Sequence, residues 1–257
     1  MNTRRLLTRR NLFIAGAATA GGLLARGLWR TELPPTYGDI LRMGDNLTYA
    51  AHRLLLPGQS MAREYGPKDI TAFPAMYLDD RYLTDPSHPT RSAAYLKAHA
   101  SGFVDWRQLK VEGLVARPKA FSLADLKRFP ARTQITRHTC EEGWSAIGQW
   151  TGVQLARVLE IDVGLLPEAR FVTFHCNDNY VESIDMLDAL HPQTLLAYGM
   201  NGSDLSVPHG APVRLRVETQ MGYKSMKYIE RIVVTSELDD GGKEGNIQNG
   251  WSWYAGI

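Results

Sequence analysis

Gln134-Ile135-Thr136-Arg137-His138-Thr139-Cys140-Glu141-Glu142-Gly143-Trp144 is the stretch on which the reading of this chain turns. Its first five residues are β-prone, so the run delivers Cys140 at the end of a strand. The chain holds two cysteines, and this one stands between the bases Arg137 and His138 and the acids Glu141 and Glu142. Two readings stand at this point. Cys140 is a buried apolar thiol, the commonest fate of a free cysteine, or its thiolate binds a metal or attacks a substrate. The second needs a polar, electropositive neighbourhood such as Arg137 and His138 could supply.

Outward from this stretch the pattern is α+β. Residues 109–115 alternate as a half-buried strand, Arg117-Pro118 ends it, and Ser122 opens a capped short helix through Leu126. Residues 152–159 read as a helix, 170–176 as a strand, 180–186 as a strand or turn, and 186–190 as a short helix. Strands are expected at 213–218 and 229–235. The regular βα alternation of a doubly wound sheet is missing. Upstream, residues 31–101 are rich in Pro, Gly, Asp and Tyr, with helical patterns only at 46–56 and 92–100. That segment is expected to wrap a core built later in the chain. Its His52 and Arg53 read most simply as a solvated helix face.

With 257 residues, 44% hydrophobic and 22% charged, the chain can bury a large core. The formal charge of +2 hides an asymmetry, because residues 1–30 hold six arginines and no lysine or acid, which leaves the remainder at −4. A nucleic-acid partner is therefore not expected. Thr8-Arg9-Arg10-Asn11-Leu12-Phe13-Ile14 sets an arginine pair before an apolar run at 12–24, the pattern of a twin-arginine export signal. An ordinary secretory signal or a retained anchor is the alternative. The expected organisation is a signal or anchor at 1–30 and a single domain at 31–257, divided into a wrapping segment (31–101), a core (102–240) and a tail (241–257).

Four runs carry a family resemblance: Cys140-Glu141-Glu142-Gly143-Trp144 with Trp150 and Gly152; Tyr180-Val181-Glu182-Ser183-Ile184; Leu195-Leu196-Ala197-Tyr198-Gly199-Met200-Asn201-Gly202; and His209-Gly210-Ala211-Pro212-Val213-Arg214 followed by Gly222-Tyr223-Lys224-Ser225-Met226-Lys227-Tyr228. Residues 106–235 resemble the molybdopterin domain of the sulfite oxidase family. They most resemble its bacterial twin-arginine-exported branch, which includes periplasmic methionine sulfoxide reductases. The resemblance implies a sulfite-oxidase-type α+β fold of mixed β-sheets with peripheral short helices, and a molybdenum-molybdopterin cofactor (Mo-MPT).

It also implies roles. Cys140 matches the thiolate that ligates the metal, consistent with the preference of soft metals for sulfur. Tyr180 matches a tyrosine placed near the metal, and Arg137 is a second candidate for positioning oxygen or substrate. His209, Arg214, Ser225, Met226 and Lys227 match positions that hold the cofactor, whose terminal phosphate wants cationic and hydroxyl donors. Cys176 falls about where the family lines the pterin pocket. A Cys140–Cys176 disulfide is the competing fate after export, a zinc site lacks paired short spacings, and Cys140 with His138 as a hydrolase pair lacks an evident orienting group.

The implied activity is two-electron oxygen-atom transfer in the periplasm. Glu141 and Glu142 would repel sulfite, so reduction of S-oxides is expected ahead of a sulfite-type dehydrogenase. A metal-free secreted binding module is the reading from another class. The haem-attachment motif CxxCH does not occur, so electrons are expected from a separate protein, a membrane cytochrome b or a soluble cytochrome c, and the chain is expected to be a monomer. Phe73-Pro74-Ala75-Met76 carries methionine where some members have asparagine.

Overall fold

The computed structural model describes residues 40–56, 60–73, 108–242, 245, 247 and 250–257. The chain divides into two units, residues 1–60 with Gly256, and residues 61–255 with Ile257. In the first, α1 (Ile40–Leu55) starts six residues before the expected helix. His52 and Arg53 close its last turn, where the helix dipole favours cations, and Arg53 lies 5.1 Å over the Tyr49 ring. The export signal and the expected helix at 92–100 lie outside the described residues. Among the described residues no helix is long and apolar enough to cross a membrane.

Among the described residues the second unit holds ten strands: β1 (Leu109–Gly113), β2 (Lys119–Phe121), β3 (Ala131–Thr139), β4 (Ser145–Gln154), β5 (Phe171–Cys176), β6 (Val181–Asp185), β7 (Leu195–Met200), β8 (Ser203–Asp204), β9 (Arg214–Arg216) and β10 (Ile229–Thr235). One sheet runs β2-β1-β10-β5-β6 and is mixed, because β1 and β10 are parallel while the other pairs are antiparallel. The other runs β3-β4-β7-β8, with β9 also on β7, and is antiparallel throughout. Both sheets feed one core, in which Val111, Phe174 and Ile232 of the mixed sheet join Val153, Leu196 and Leu215 of the antiparallel one. This α+β arrangement of mixed sheets and few short helices is the expected class.

Short helices close the connections. α2 (Leu123–Arg128) begins at Ser122, whose Oγ accepts from Asp125 N at 3.1 Å while the Asp125 carboxylate accepts from Ser122 N at 2.8 Å. This reciprocal cap stabilises the helix by about 1 kcal/mol. α3 (Met186–Ala189) is capped by Asp185, which accepts from Asp188 N at 2.8 Å.

Two expectations are corrected. The helix read over 152–159 is strand as far as Gln154, followed by a π-helical segment, Arg157–Val163. Gly152 is the reason, since a Cβ there would stand 2.2 Å from Leu196 O. Only glycine lets β7 come that close, and the ladder shifts register between Thr151 and Gly152. The strand read over 213–218 is shorter, confined to Arg214–Arg216.

Candidate active site

Along β3 the even positions Gln134, Thr136 and His138 are buried while Ala131, Thr133 and Arg137 are exposed, and Cys140 continues the buried parity. The chain turns immediately after it. Cys140 N donates to Trp144 O at 2.9 Å and Gly143 N to Cys140 O at 3.1 Å, with Gly143 at φ +89°, in the region glycine adopts without steric cost. The thiol is therefore held at the mouth of a rigid hairpin. It is 7% exposed, and its Sγ donates to the Glu141 carboxylate at 3.5 Å. Burial, reinforced by the charges of Glu141 and Glu142, pushes the thiol up to about 11. Such a cysteine is not a free nucleophile at neutral pH; a bound metal would deprotonate it.

His138 is not its base. Arg216, 1% exposed, donates from Nη1 to His138 Nδ1 at 2.6 Å, and it donates to both oxygens of Glu218 at 3.1 and 2.6 Å. Gln134 Nε2 donates to the same carboxylate at 3.0 Å. The imidazole is thus tied into a buried network, with its pKa held far below the ordinary value by burial and then by Arg216. Its other edge meets Gly222, where a Cβ would lie 2.6 Å from Nε2. The hydrolase pair fails on this geometry.

Beside this network lies a second set of cations. Arg214 and Arg216 both lie over the Trp150 ring, their guanidinium carbons 4.9 and 4.5 Å from its centroid. Arg214, 2% exposed, donates to His209 O and Ser225 O, each at 2.9 Å. Lys227 Nζ donates to Pro208 O at 3.0 Å. Burial and then Arg214 bring Lys227 down to about 7, and burial and then Arg216 bring Arg214 down to about 9. His209 is paired through Nδ1 with Ser206 Oγ at 2.9 Å and through Nε2 with Phe73 O at 3.3 Å. The Phe73 ring packs against the rings of His138, Trp144, Trp150 and His209. Asp178, pushed up to about 6 by burial, accepts from Tyr180 N at 3.2 Å, and the Tyr180 hydroxyl donates to Tyr223 O at 3.1 Å.

The family described as oxidoreductase molybdopterin binding domain matches residues 99–242. A protein of Azospira oryzae, provisionally named protein-methionine-sulfoxide reductase subunit YedZ1, is 43% identical over 254 residues, covering 97% of this chain and 88% of that one. The chain belongs to the molybdopterin-binding oxidoreductase family. Another relative, the protein-methionine-sulfoxide reductase catalytic subunit MsrP of Ralstonia nicotianae, is 32% identical over 245 residues, covering 89% of this chain and 67% of that one. Among solved structures, the sulfane dehydrogenase SoxCD from Paracoccus pantotrophus has TM-score 0.49 and 24% identity, covering 52% of this chain and 39% of that one.

The residues present fit the cofactor this molybdopterin-binding family carries. Arg214 makes no ion pair among the described residues, and its buried Nε has no hydrogen-bond partner; nor does the buried Trp150 Nε1. Buried donors left so are costly, and an acidic, acceptor-rich group would satisfy them. No cluster of three or more His, Cys, Asp or Glu among the described residues could cage a metal. A metal at Cys140 would take its remaining ligands from a cofactor.

The structure brings His209, Arg214, Ser225 and Lys227 together through the bonds above. Ser225 Oγ accepts from Val217 N at 3.3 Å. Met226 contributes differently, since its side chain is core and its carbonyl accepts from Leu215 N at 2.8 Å. Cys176 is likewise a core thiol, and both cysteines are free, so the disulfide does not form. Arg137 is the correction. It lies on the face of β3 opposite His138, exposed and 5.6 Å over the Tyr65 ring. Strand alternation excludes it from the thiol's side, and that signal was present in the sequence. Arg216 and the pairing of Lys224 with Glu182 leave no signal in the sequence, because their partners lie 78 and 42 residues away in the chain.

Proposed function

We propose that this molybdopterin-dependent oxidoreductase is a molybdenum enzyme of the bacterial periplasm that reduces S-oxides, methionine sulfoxide among them. It would be exported folded by the twin-arginine route and supplied with electrons by a membrane haem protein. The observation that carries the cofactor reading is Arg214, buried and cationic, with an unpartnered Nε beside Lys227 and within the same folded unit as the Cys140 thiol. The names of the relatives from Azospira oryzae and Ralstonia nicotianae support the substrate class.

When bound, Mo-MPT supplies a metal that accepts and releases an oxygen atom with two electrons, so that sulfoxide, two electrons and two protons give sulfide and water. The protein's own part is binding, orientation and charge. Cys140 would ligate the metal, while Arg214, Lys227, Ser225 and His209 would hold the pterin and its phosphate. Burial keeps the Tyr180 phenol protonated, its pKa raised well above the ordinary value; its one proton goes to Tyr223 O, and it would donate to a substrate or ligand oxygen only by exchanging that bond. Glu141, at the thiol, favours a neutral substrate over a dianion such as sulfite.

Metal and pterin analysis of protein purified from its native host tests this reading. One molybdenum and one pterin per chain are expected, and none in a folded, processed sample overturns it. Cys140→Ser is expected to abolish turnover while leaving the chain folded. With viologen-reduced enzyme, turnover of methionine sulfoxide is expected; activity confined to sulfite oxidation would reverse the substrate assignment.

A further inference from the structure

Lys224 and Glu182 are 0% and 1% exposed, and their side chains meet at 2.7 Å. A lysine is ordinarily a solvated charge. Instead, Nζ reaches across to β6, donating to Glu182 Oε1 at 2.7 Å and to Ser183 O at 2.9 Å. Taking both ions out of water costs several kcal/mol each, and a methionine with a leucine would fill similar space without that cost. Packing alone does not account for the pair, so its placement matters.

The pair joins two segments that carry site residues. Glu182 stands two residues after Tyr180, and Lys224 stands between Tyr223 and Ser225. The turn Gly222–Lys224 is a single 3-10 turn of three residues, with little stability of its own. It is held to β6 and its approach at two points: the Tyr180 hydroxyl donates to Tyr223 O at 3.1 Å, and Lys224 Nζ returns to Glu182 and Ser183. Immediately beyond, Ser225 O receives Arg214 Nη2 at 2.9 Å, and Lys227 follows.

We propose that Lys224 and Glu182 form a positioning pair that clamps the Gly222–Ser225 segment against β6, and so sets the geometry with which Ser225 and Lys227 grip the cofactor and Tyr180 faces it. This rests on the cofactor reading above for its second clause only. Glu182 also leaves Oε2 buried and unpartnered, and removing Lys224 alone would leave the carboxylate buried without a cation.

The decisive variant is the double substitution Lys224→Met with Glu182→Leu, which removes both charges and keeps the core filled. Hydrogen exchange, pterin release and thermal unfolding are measured beside the unsubstituted protein. Expected are about tenfold faster exchange at the Ser225 and Val217 amides and about tenfold faster pterin release, the scale on which residues supporting a bound group act. The thermal midpoint should hold or rise. The isosteric Glu182→Gln keeps an acceptor for Nζ and is expected to fold and shift both rates the same way by less. Unchanged exchange in both variants overturns the clamp. If the unsubstituted protein carries no pterin but the exchange difference persists, the cofactor reading falls and the clamp stands.

Discussion

Arg216 donates from Nη1 to Nδ1 of His138 at 2.6 Å. A guanidinium can only donate, so the imidazole accepts there and carries its single proton on Nε2. The aromatic side chain two residues before the thiol is thereby a neutral, fixed wall. His138→Ala leaves a buried guanidinium N–H without its acceptor and is expected to cost about 1–3 kcal/mol of unfolding free energy, read from denaturant midpoints. The pH–rate profile should show no inflection that disappears on this substitution. One that does disappear would assign His138 a proton-transfer role.

Gly222 presses on the other edge of the same ring. An added Cβ would stand 2.6 Å from His138 Nε2 and 3.1 Å from Thr139 O, and the ring has no freedom to retreat because Arg216 holds it. Gly222→Ala is expected to destabilise by about 1–3 kcal/mol, the usual cost of overpacking. Combining it with His138→Ala should recover most of that loss; strict additivity of the two would refute the contact.

Lys227 sets a pH dependence on the cofactor-free protein. Burial and Arg214 bring it from 10.5 down to about 7. Between about 7 and about 10 the unfolded chain therefore holds a proton that the folded chain has released, and stability rises with pH across that window. Below about 7 both states hold the proton, and this contribution is absent. Denaturant midpoints at pH 7 and pH 9 should differ in cofactor-free protein and lose this difference in Lys227→Met. A bound phosphate would hold the ammonium charged and flatten the slope in the same way.

Glu141 accepts from the Cys140 thiol at 3.5 Å, and with Cys140 as the proposed metal ligand its charge would meet an approaching substrate anion. Glu141→Gln removes one unit of negative charge, worth about 1 kcal/mol against a nearby unit charge in well-solvated surroundings. Inhibition of sulfoxide turnover by sulfite is expected to tighten by about fivefold on that scale. An unchanged inhibition constant would show that the carboxylate does not face the substrate path.

Much of the mixed sheet was legible because its strands obey local rules. β1 alternates buried Leu109 and Val111 with exposed Lys110, and the Ser122 cap announces α2. β7 was quoted as a motif but not read as a strand, because all six of its residues are buried and alternation vanishes. At Gly152 the helical spacing misled, since the constraint is a backbone 44 positions away at Leu196. The site shows the same division. Motifs single out Cys140 and residues 209–227, whereas the burial of Lys224 leaves no local signal because its carboxylate partner stands 42 residues earlier. Arg137 was chosen for nearness in sequence, where the two-residue period of a strand should have ruled.

The parallel pairing of β1 with β10 has a consequence for how the polypeptide comes together. In the order β2-β1-β10-β5-β6, the central strand is the last of the five to be synthesised. The β1–β2 and β5–β6 hairpins have no common neighbour until residues 229–235 emerge. Long-range closure of this kind is slow and leaves strand edges open meanwhile. Ribosome-bound chains ending before Ile229 should therefore remain protease-sensitive in both hairpins, and protection should arrive in a single step once β10 is free to insert.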